Sequence, residues 1–172
     1  MLAEPIKSAL NAQIEMEALS SHSYLAMASW AENQGLSGTA EFLYRHSDEE
    51  RQHMLKLIRF VNERGGRAII PALKAPQLDL ADVQGVFHLL LDHETKVTAS
   101  INEIVDQCLK HKDYTTHNFI QWYVAEQIEE EALARLIIDK LNLIGTDKAG
   151  LYLFDRDLQQ LQTPAPDNPA GM

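Results

Sequence analysis

A single cysteine in 172 residues, Cys108, excludes an intrachain disulfide framework and any metal site built on four thiolates. It falls on an apolar seam and is expected only to pack. Proline and glycine are scarce, 6 and 8, and bunch near residues 35–38, 65–76, 145–150 and the last nine, which leaves long uninterrupted stretches for helices. Basic residues are outnumbered, 15 against 25 acidic. The resulting charge of −10 disfavours nonspecific binding to nucleic acid or an anionic membrane and permits attraction of cations. No apolar run approaches the ~20 residues of a membrane span, and Met1-Leu2-Ala3-Glu4-Pro5 has no basic region followed by an apolar core. A cytoplasmic location is the expectation. Also missing are a glycine-rich phosphate loop, a supported Ser-His-Asp arrangement and a basic stripe.

What remains, with 45% hydrophobic content, suits one all-helical domain with a sizeable core. Pro5 beside Glu4 opens a first helix that keeps an amphipathic period to Asn33-Gln34-Gly35. Ser37-Gly38-Thr39, with Glu41 close behind, is predicted to start and cap a second, which stops at Gly65-Gly66. Residues 66–82 hold Pro71 and Pro76 and show no helical period until Asp82, a cap for a third helix that runs to about Lys110-His111-Lys112. Asp113 or Thr115 begins a fourth, ending before Gly145. Thr146-Asp147 caps a shorter fifth, to about Leu161, and Thr163 to Met172 reads as a loose tail (162–172) beyond a domain of residues 1–161. Four helices of roughly 26 to 30 residues, about 40 Å each, should pack side by side. The 66–82 connection spans up to ~55 Å extended, long enough to run the length of the bundle. An all-α four-helix bundle with one long crossover, plus a short fifth helix, follows.

The four long seams share one interruption. The first runs Leu10, Glu17, Tyr24 at steps of seven, and the second Leu43, Glu50, Leu57, with His53 one turn after Glu50. The third gives Phe87, Leu90, Glu94, Val97, Ile101, Ile104, Cys108; the fourth gives Ile120, Tyr123, Gln127, Glu130, Ala134, Ile137, Leu141. Each polar member lies near its helix midpoint, and a midpoint does not depend on helix direction. Packing therefore brings Glu17, Glu50, His53, Glu94, Gln127 and Glu130 to one level of the interior. Unpaired carboxylates there would each cost several kcal/mol. No Lys or Arg occupies the seams at that level, so protons or divalent metal must neutralise them. Carboxylates with one imidazole and no thiolate fit iron, manganese or zinc.

Any one of these glutamates alone reads as an ordinary solvated helix former. Four at one height, with a histidine at ligand spacing, do not. Glu49, Glu126 and Glu129 lie beside that level, off the strict seam, either as exposed acids or as a neighbouring metal site. His22, His46, His88, His93, His111 and His117 have no carboxylate at ligand spacing on the mid-level seam and are expected at the surface or in satisfied polar packing. Tyr24, one heptad after Glu17, can hydrogen-bond a ligand carboxylate or simply fill the core. Trp30 and Trp122 are expected to pack.

With Glu17, Tyr24, Glu50-x-x-His53, Glu94 and Gln127-x-x-Glu130 in this order, residues 5 to 160 resemble the ferritin family, and the bacterial non-haem ferritins in particular. The resemblance implies that Glu17, Glu50 and His53 bind one iron and that Glu50 bridges to a second held by Glu94 and Glu130, with Gln127 close by. It also implies a third, weaker iron position near Glu49, Glu126, Glu129 and Glu130. A bacterioferritin or rubrerythrin would carry a second Glu-x-x-His on the fourth helix, where Gln127-x-x-Glu130 stands. The haem-ligating methionine of bacterioferritins follows the bridging glutamate, where this chain has Arg51, so haem is not expected. The short fifth helix resembles the one that lines fourfold pores in ferritin shells.

The implied activity is iron storage by a ferroxidase: Fe(II) is oxidised at an intrasubunit di-iron centre by dioxygen or hydrogen peroxide, and Fe(III) mineral is deposited inside a homo-oligomeric shell of 24 chains. Two other classes compete. A metal buffer would store without turnover, and a di-iron oxygenase would need an apolar substrate pocket beside the metals and would be small in solution.

Overall fold

The computed structural model describes residues 2–76 and 78–160, so the expected tail at 162–172 lies outside the described residues. Five helices follow in order: α1 (Glu4–Asn33), α2 (Ser37–Glu63), α3 (Val83–His111), α4 (Tyr114–Ile144) and α5 (Lys148–Leu158). Each long one forms because its apolar residues recur at three and four, and each ends on a backbone break. Gly35 and Gly65 follow α1 and α2 with φ of 75° and 74°, a left-handed conformation that costs glycine nothing. α3 stops at Lys112, which accepts the same conformation at φ 55°.

The core divides into two apolar clusters, and they give the helix directions. One holds Tyr24, Met27, Leu43, Val86, Phe87, Leu90, Ile137 and Leu141; the other holds Leu10, Ile14, Leu57, Val97, Ile101, Ile120 and Tyr123. α1 and α4 thus run from the second cluster to the first, and α2 and α3 run from the first to the second. Parallel α2 and α3 require the chain to travel back the length of the bundle between them, which is the crossover read from residues 66–82. Its start is pinned to the bundle: Asn62 Oδ1 accepts from Ala68 N at 3.1 Å and Asn11 Oδ1 from Ile69 N at 2.7 Å.

The caps at Asp82, Asp113 and Asp147 form as read, each carboxylate accepting from a backbone N–H in the first turn of its helix. At α2 the expectation fails. No local side chain caps Ser37–Glu63; instead Asp155 of α5 accepts from Gly38 N at 2.9 Å and from Thr39 N and Oγ1 at 2.8 and 2.7 Å. A carboxylate supplied from 116 residues away in sequence satisfies donors at a buried helix start, where the macrodipole also favours negative charge. α5 itself ends at Leu158, three residues short of the expected Leu161.

That contact explains Gly38. A Cβ there would lie 1.7 Å from the Asp155 carbonyl oxygen, so any other residue pushes α5 away. Asp155→Ala leaves two backbone N–H groups and a hydroxyl without partners and should cost about 1–3 kcal/mol. Gly38→Ala should cost a similar amount through the clash; thermal unfolding of both variants checks this, and unchanged midpoints would remove the tie between α5 and α2.

Candidate metal centre

Between the two apolar clusters lies a polar layer. Relative exposures are 0% for Glu17, 2% for Glu50, 4% for His53, 1% for Glu94, 4% for Gln127 and 5% for Glu130, so all six seam residues point inward. Glu17, Glu50 and His53 bring one ligand atom each within 4.8 Å of one another. His53 Nδ1 is 3.6 Å from Glu50 Oε2 and 3.9 Å from Glu17 Oε2. Two further groups meet the same condition: His46, Glu49 and Glu130, and Glu49, His53 and Glu126. Glu49 and Glu126 are half-buried at the edge of the layer, whereas Glu129 is exposed and outside these groups.

Glu94 is held differently. Its Oε1 accepts a short hydrogen bond from the Tyr24 hydroxyl, and its Oε2 accepts from Gln127 Nε2 at 3.2 Å. The Gln127 amide also donates to the Glu94 carbonyl at 3.1 Å and reaches Thr98 Oγ1 at 3.3 Å, while Thr98 donates to Glu131 at 2.6 Å. Gln127 and Tyr24 thus orient the carboxylate from two sides. Glu17 is oriented by Gln13, whose amide donates to its Oε1 in another short bond.

Four residues of this layer escaped the sequence reading. His46 was expected at the surface or in satisfied packing; it is buried, and its Nε2 faces Glu130 Oε2 at 3.4 Å. Tyr123 was read as a seam residue, yet its buried hydroxyl lies beside Glu17. Gln13 and Thr98 complete the set. Each lies one turn from a seam polar residue on the same face: Gln13 before Glu17, His46 before Glu50, Thr98 after Glu94, Tyr123 before Gln127. That i±4 spacing is the signal that would have found them. Trp122, expected only to pack, stacks on Tyr123 with centroids 4.5 Å apart and lies 5.3 Å from the His53 ring. Lys56 covers its other side, 3.5 Å from the ring centroid.

The layer carries the electrostatics of crowded acids. Burial, then the charge of Glu50, pushes Glu17 well above the ordinary glutamate value; burial, then Glu94, does the same to Glu50. Glu94 is raised to about 7 by burial and by Glu130, and Glu49 to about 7 by the same two causes. Burial opposes a proton on His46, but the Glu130 carboxylate outweighs it and raises the imidazole. Glu17 Oε2, Glu50 Oε2, Glu130 Oε2, His46 Nε2 and both ring nitrogens of His53 are buried without hydrogen-bond partners. Native interiors seldom leave so many polar atoms unsatisfied unless something else binds them. Oxygen-rich donors with imidazole and no sulfur suit hard or borderline divalent cations.

Carboxyls with raised values bind their protons more tightly folded than unfolded. Between the ordinary 4.5 and about 7 the folded chain therefore holds more protons, and the metal-free protein should lose stability as the pH climbs through that window. Thermal midpoints across the window test this, and Glu94→Gln, which mimics the protonated acid, should flatten the slope.

Comparison with known proteins agrees with the bundle. The Ferritin-like domain model matches residues 7–144. A probable bacterial non-heme ferritin-like protein of Haemophilus influenzae is 46% identical over 165 residues, covering 96% of this chain and all of the relative. A bacterial non-heme ferritin of Campylobacter jejuni is 42% identical over 161 residues, 94% of this chain and 96% of its own length. In structure, a novel open pore ferritin from the archaeon Archaeoglobus fulgidus superposes with a TM-score of 0.91 at 41% identity, over 94% of this chain and all of the other. Aligned along nearly its whole length with these proteins, the chain belongs to the ferritin family.

Proposed function

We propose that this protein stores iron in the cytoplasm, oxidising Fe(II) at an intrasubunit di-iron centre and delivering Fe(III) to mineral inside a shell of 24 copies. The observation that carries this reading is the buried group Glu17, Glu50 and His53, with ligand atoms within 4.8 Å and oxygens that nothing else satisfies. Family membership supports storage as the purpose. No helix among the described residues is long and apolar enough to cross a membrane.

On this reading iron is substrate and cargo. Glu17 and His53 hold one Fe(II), Glu50 lies between the two positions, and Glu94 and Glu130 receive the second. Entry of the cations displaces the protons that raised pKa values keep on these acids, so binding near neutral pH releases protons. Two Fe(II) supply two electrons, enough to reduce dioxygen to hydrogen peroxide or hydrogen peroxide to water. Anionic oxygen ligands stabilise Fe(III) more than Fe(II), which favours the electron loss. Tyr24 and Gln127 keep Glu94 aimed while its ligation changes. The formal charge of −10 on each chain draws cations toward the shell.

Stopped-flow oxidation of added Fe(II) tests the centre. Glu50→Ala and His53→Ala should each slow the fast phase by at least about tenfold, the scale on which metal-site changes act. Both variants should still elute as particles of several hundred kilodaltons. Unchanged rates would leave storage without a ferroxidase centre, and a monomer or dimer would favour an oxygenase acting on an organic substrate.

A further inference from the structure

We propose that Lys56 is a positioning residue for the metal centre: its ammonium clamps Trp122, and through Trp122 and Tyr123 it sets the orientation of the His53 ring. The inference rests on reading the buried acids and His53 as a metal site, and adds the device that aims the imidazole.

A metal-bound histidine is ordinarily aimed by a hydrogen bond from its second ring nitrogen. His53 has no such bond. Its Nδ1 turns toward Glu50 and Glu17, at 3.6 and 3.9 Å, and both ring nitrogens are buried without hydrogen-bond partners. What meets the ring is aromatic: Tyr123, with centroids 4.9 Å apart at 55°, and Trp122, at 5.3 Å and 53°. Those two rings lie 4.5 Å apart and within 6° of parallel, so they turn as one body against His53.

That body must itself be held. Tyr123 is buried, with its hydroxyl beside Glu17. Trp122 is only half-buried, its indole N–H has no partner, and Phe119 meets it at an edge with centroids 6.4 Å apart. Lys56 closes the arrangement, its Nζ 3.5 Å from the Trp122 ring centroid. Because Tyr123 already occupies one face of the indole, the ammonium lies on the other and the ring is gripped between them. Lys56 follows His53 by three residues on α2, on the same helix face, whereas Trp122 belongs to α4. The clamp thus ties the helix that carries the ligand to the rings that aim it.

Charge alone would act in the opposite direction. Burial raises the Glu126 carboxyl, and Lys56 is among the charges that oppose the rise, so the ammonium also lies close enough to this edge to repel an arriving cation. Removing the charge should tighten cation binding if repulsion is its only effect, and weaken binding if the clamp matters more. The sign separates the two roles.

Anaerobic titration of the assembled protein with Co(II), followed by its visible absorption, reads that sign. The component lost in His53→Ala reports the position held by Glu17, Glu50 and His53. Lys56→Met, which keeps the stem and removes the charge, should weaken this component at least about threefold, the scale of one cation–π contact. Lys56→Arg, which returns a cation to the ring, should restore it. With Trp30→Phe leaving Trp122 as the one indole, Lys56→Met should also speed the decay of fluorescence anisotropy. Unchanged or tighter Co(II) binding in Lys56→Met, or a loss that arginine does not restore, overturns the proposal while the metal site stands. Should His53→Ala bind Co(II) as the unaltered protein does, the functional reading falls along with it. If Lys56→Met does not assemble, Lys56→Gln decides in the same terms.

Discussion

Burying Glu17, Glu50, Glu94 and Glu130 within one layer is the most costly act of this fold, and the rest of the structure is arranged around it. Four acids in a dry interior tolerate at most a few charges before repulsion and lost hydration exceed a domain's marginal stability. The apolar clusters on either side hold the helices together in spite of the layer. They also keep water out of it, which raises the pKa values and forces the choice between proton and cation. On the proposed reading a metal-free chain stores protons at the places where a loaded one would hold metal. Proton release and metal uptake would then be two descriptions of one event, because the same oxygen lone pairs serve both.

How much of this could be read from the chain depended on whether the cause was local. Helix existence and order followed from periodicity, and the mid-level acids from breaks in four apolar seams. The crossover followed from two prolines and a span that only an extended segment could bridge. Asp155 did not, since the α2 N-terminus looks self-capped by Ser37 or Thr39, and only the docking of α5 shows that a distant carboxylate does the work. His46 was missed because ligand spacing was measured forward from the glutamates, to His53, and not backward by the same helical turn. Tyr123 was placed on the seam, but what its hydroxyl meets depends on how α4 rotates against α1, which periodicity does not fix. The exposed Glu129 shows the converse: adjacency to Glu130 in sequence turns a helical residue by 100°, enough to separate a buried acid from a solvated one.

The polar layer also reaches the surface through defined contacts. Arg135 pairs with Glu131, Glu131 accepts from Thr98, Gln127 meets Thr98, and Gln127 donates to Glu94. A carboxylate that must change partners as a cation comes and goes needs such a scaffold. Without it, a flexible side chain would pay rotamer entropy at every change. Donation from an amide and a phenol holds the acid firmly but reversibly, where an arginine would hold it too tightly to release to a metal.

Exposure across the layer falls into two parts. Glu17, Glu50, His53, His46 and Glu130 are buried, and Glu49 and Glu126 form the half-buried edge. His53 faces both ways: it groups with Glu17 and Glu50 on one side, and with Glu49 and Glu126 on the other. Beyond it a cavity of about 350 Å³, lined by Asp48, Glu49, Gln52, His53, Lys56 and Trp122, opens outward. On the proposed reading an ion passing from the buried acids to this edge would exchange desolvated ligands for better-hydrated ones and so meet weaker sites toward the mouth. Moving down such a series is uphill in free energy for the ion, so on the proposed reading the product leaves only when a following ion or the mineral takes it up. The acids that make the layer costly to fold would then also be the ones that hold the ion until something stronger draws it on.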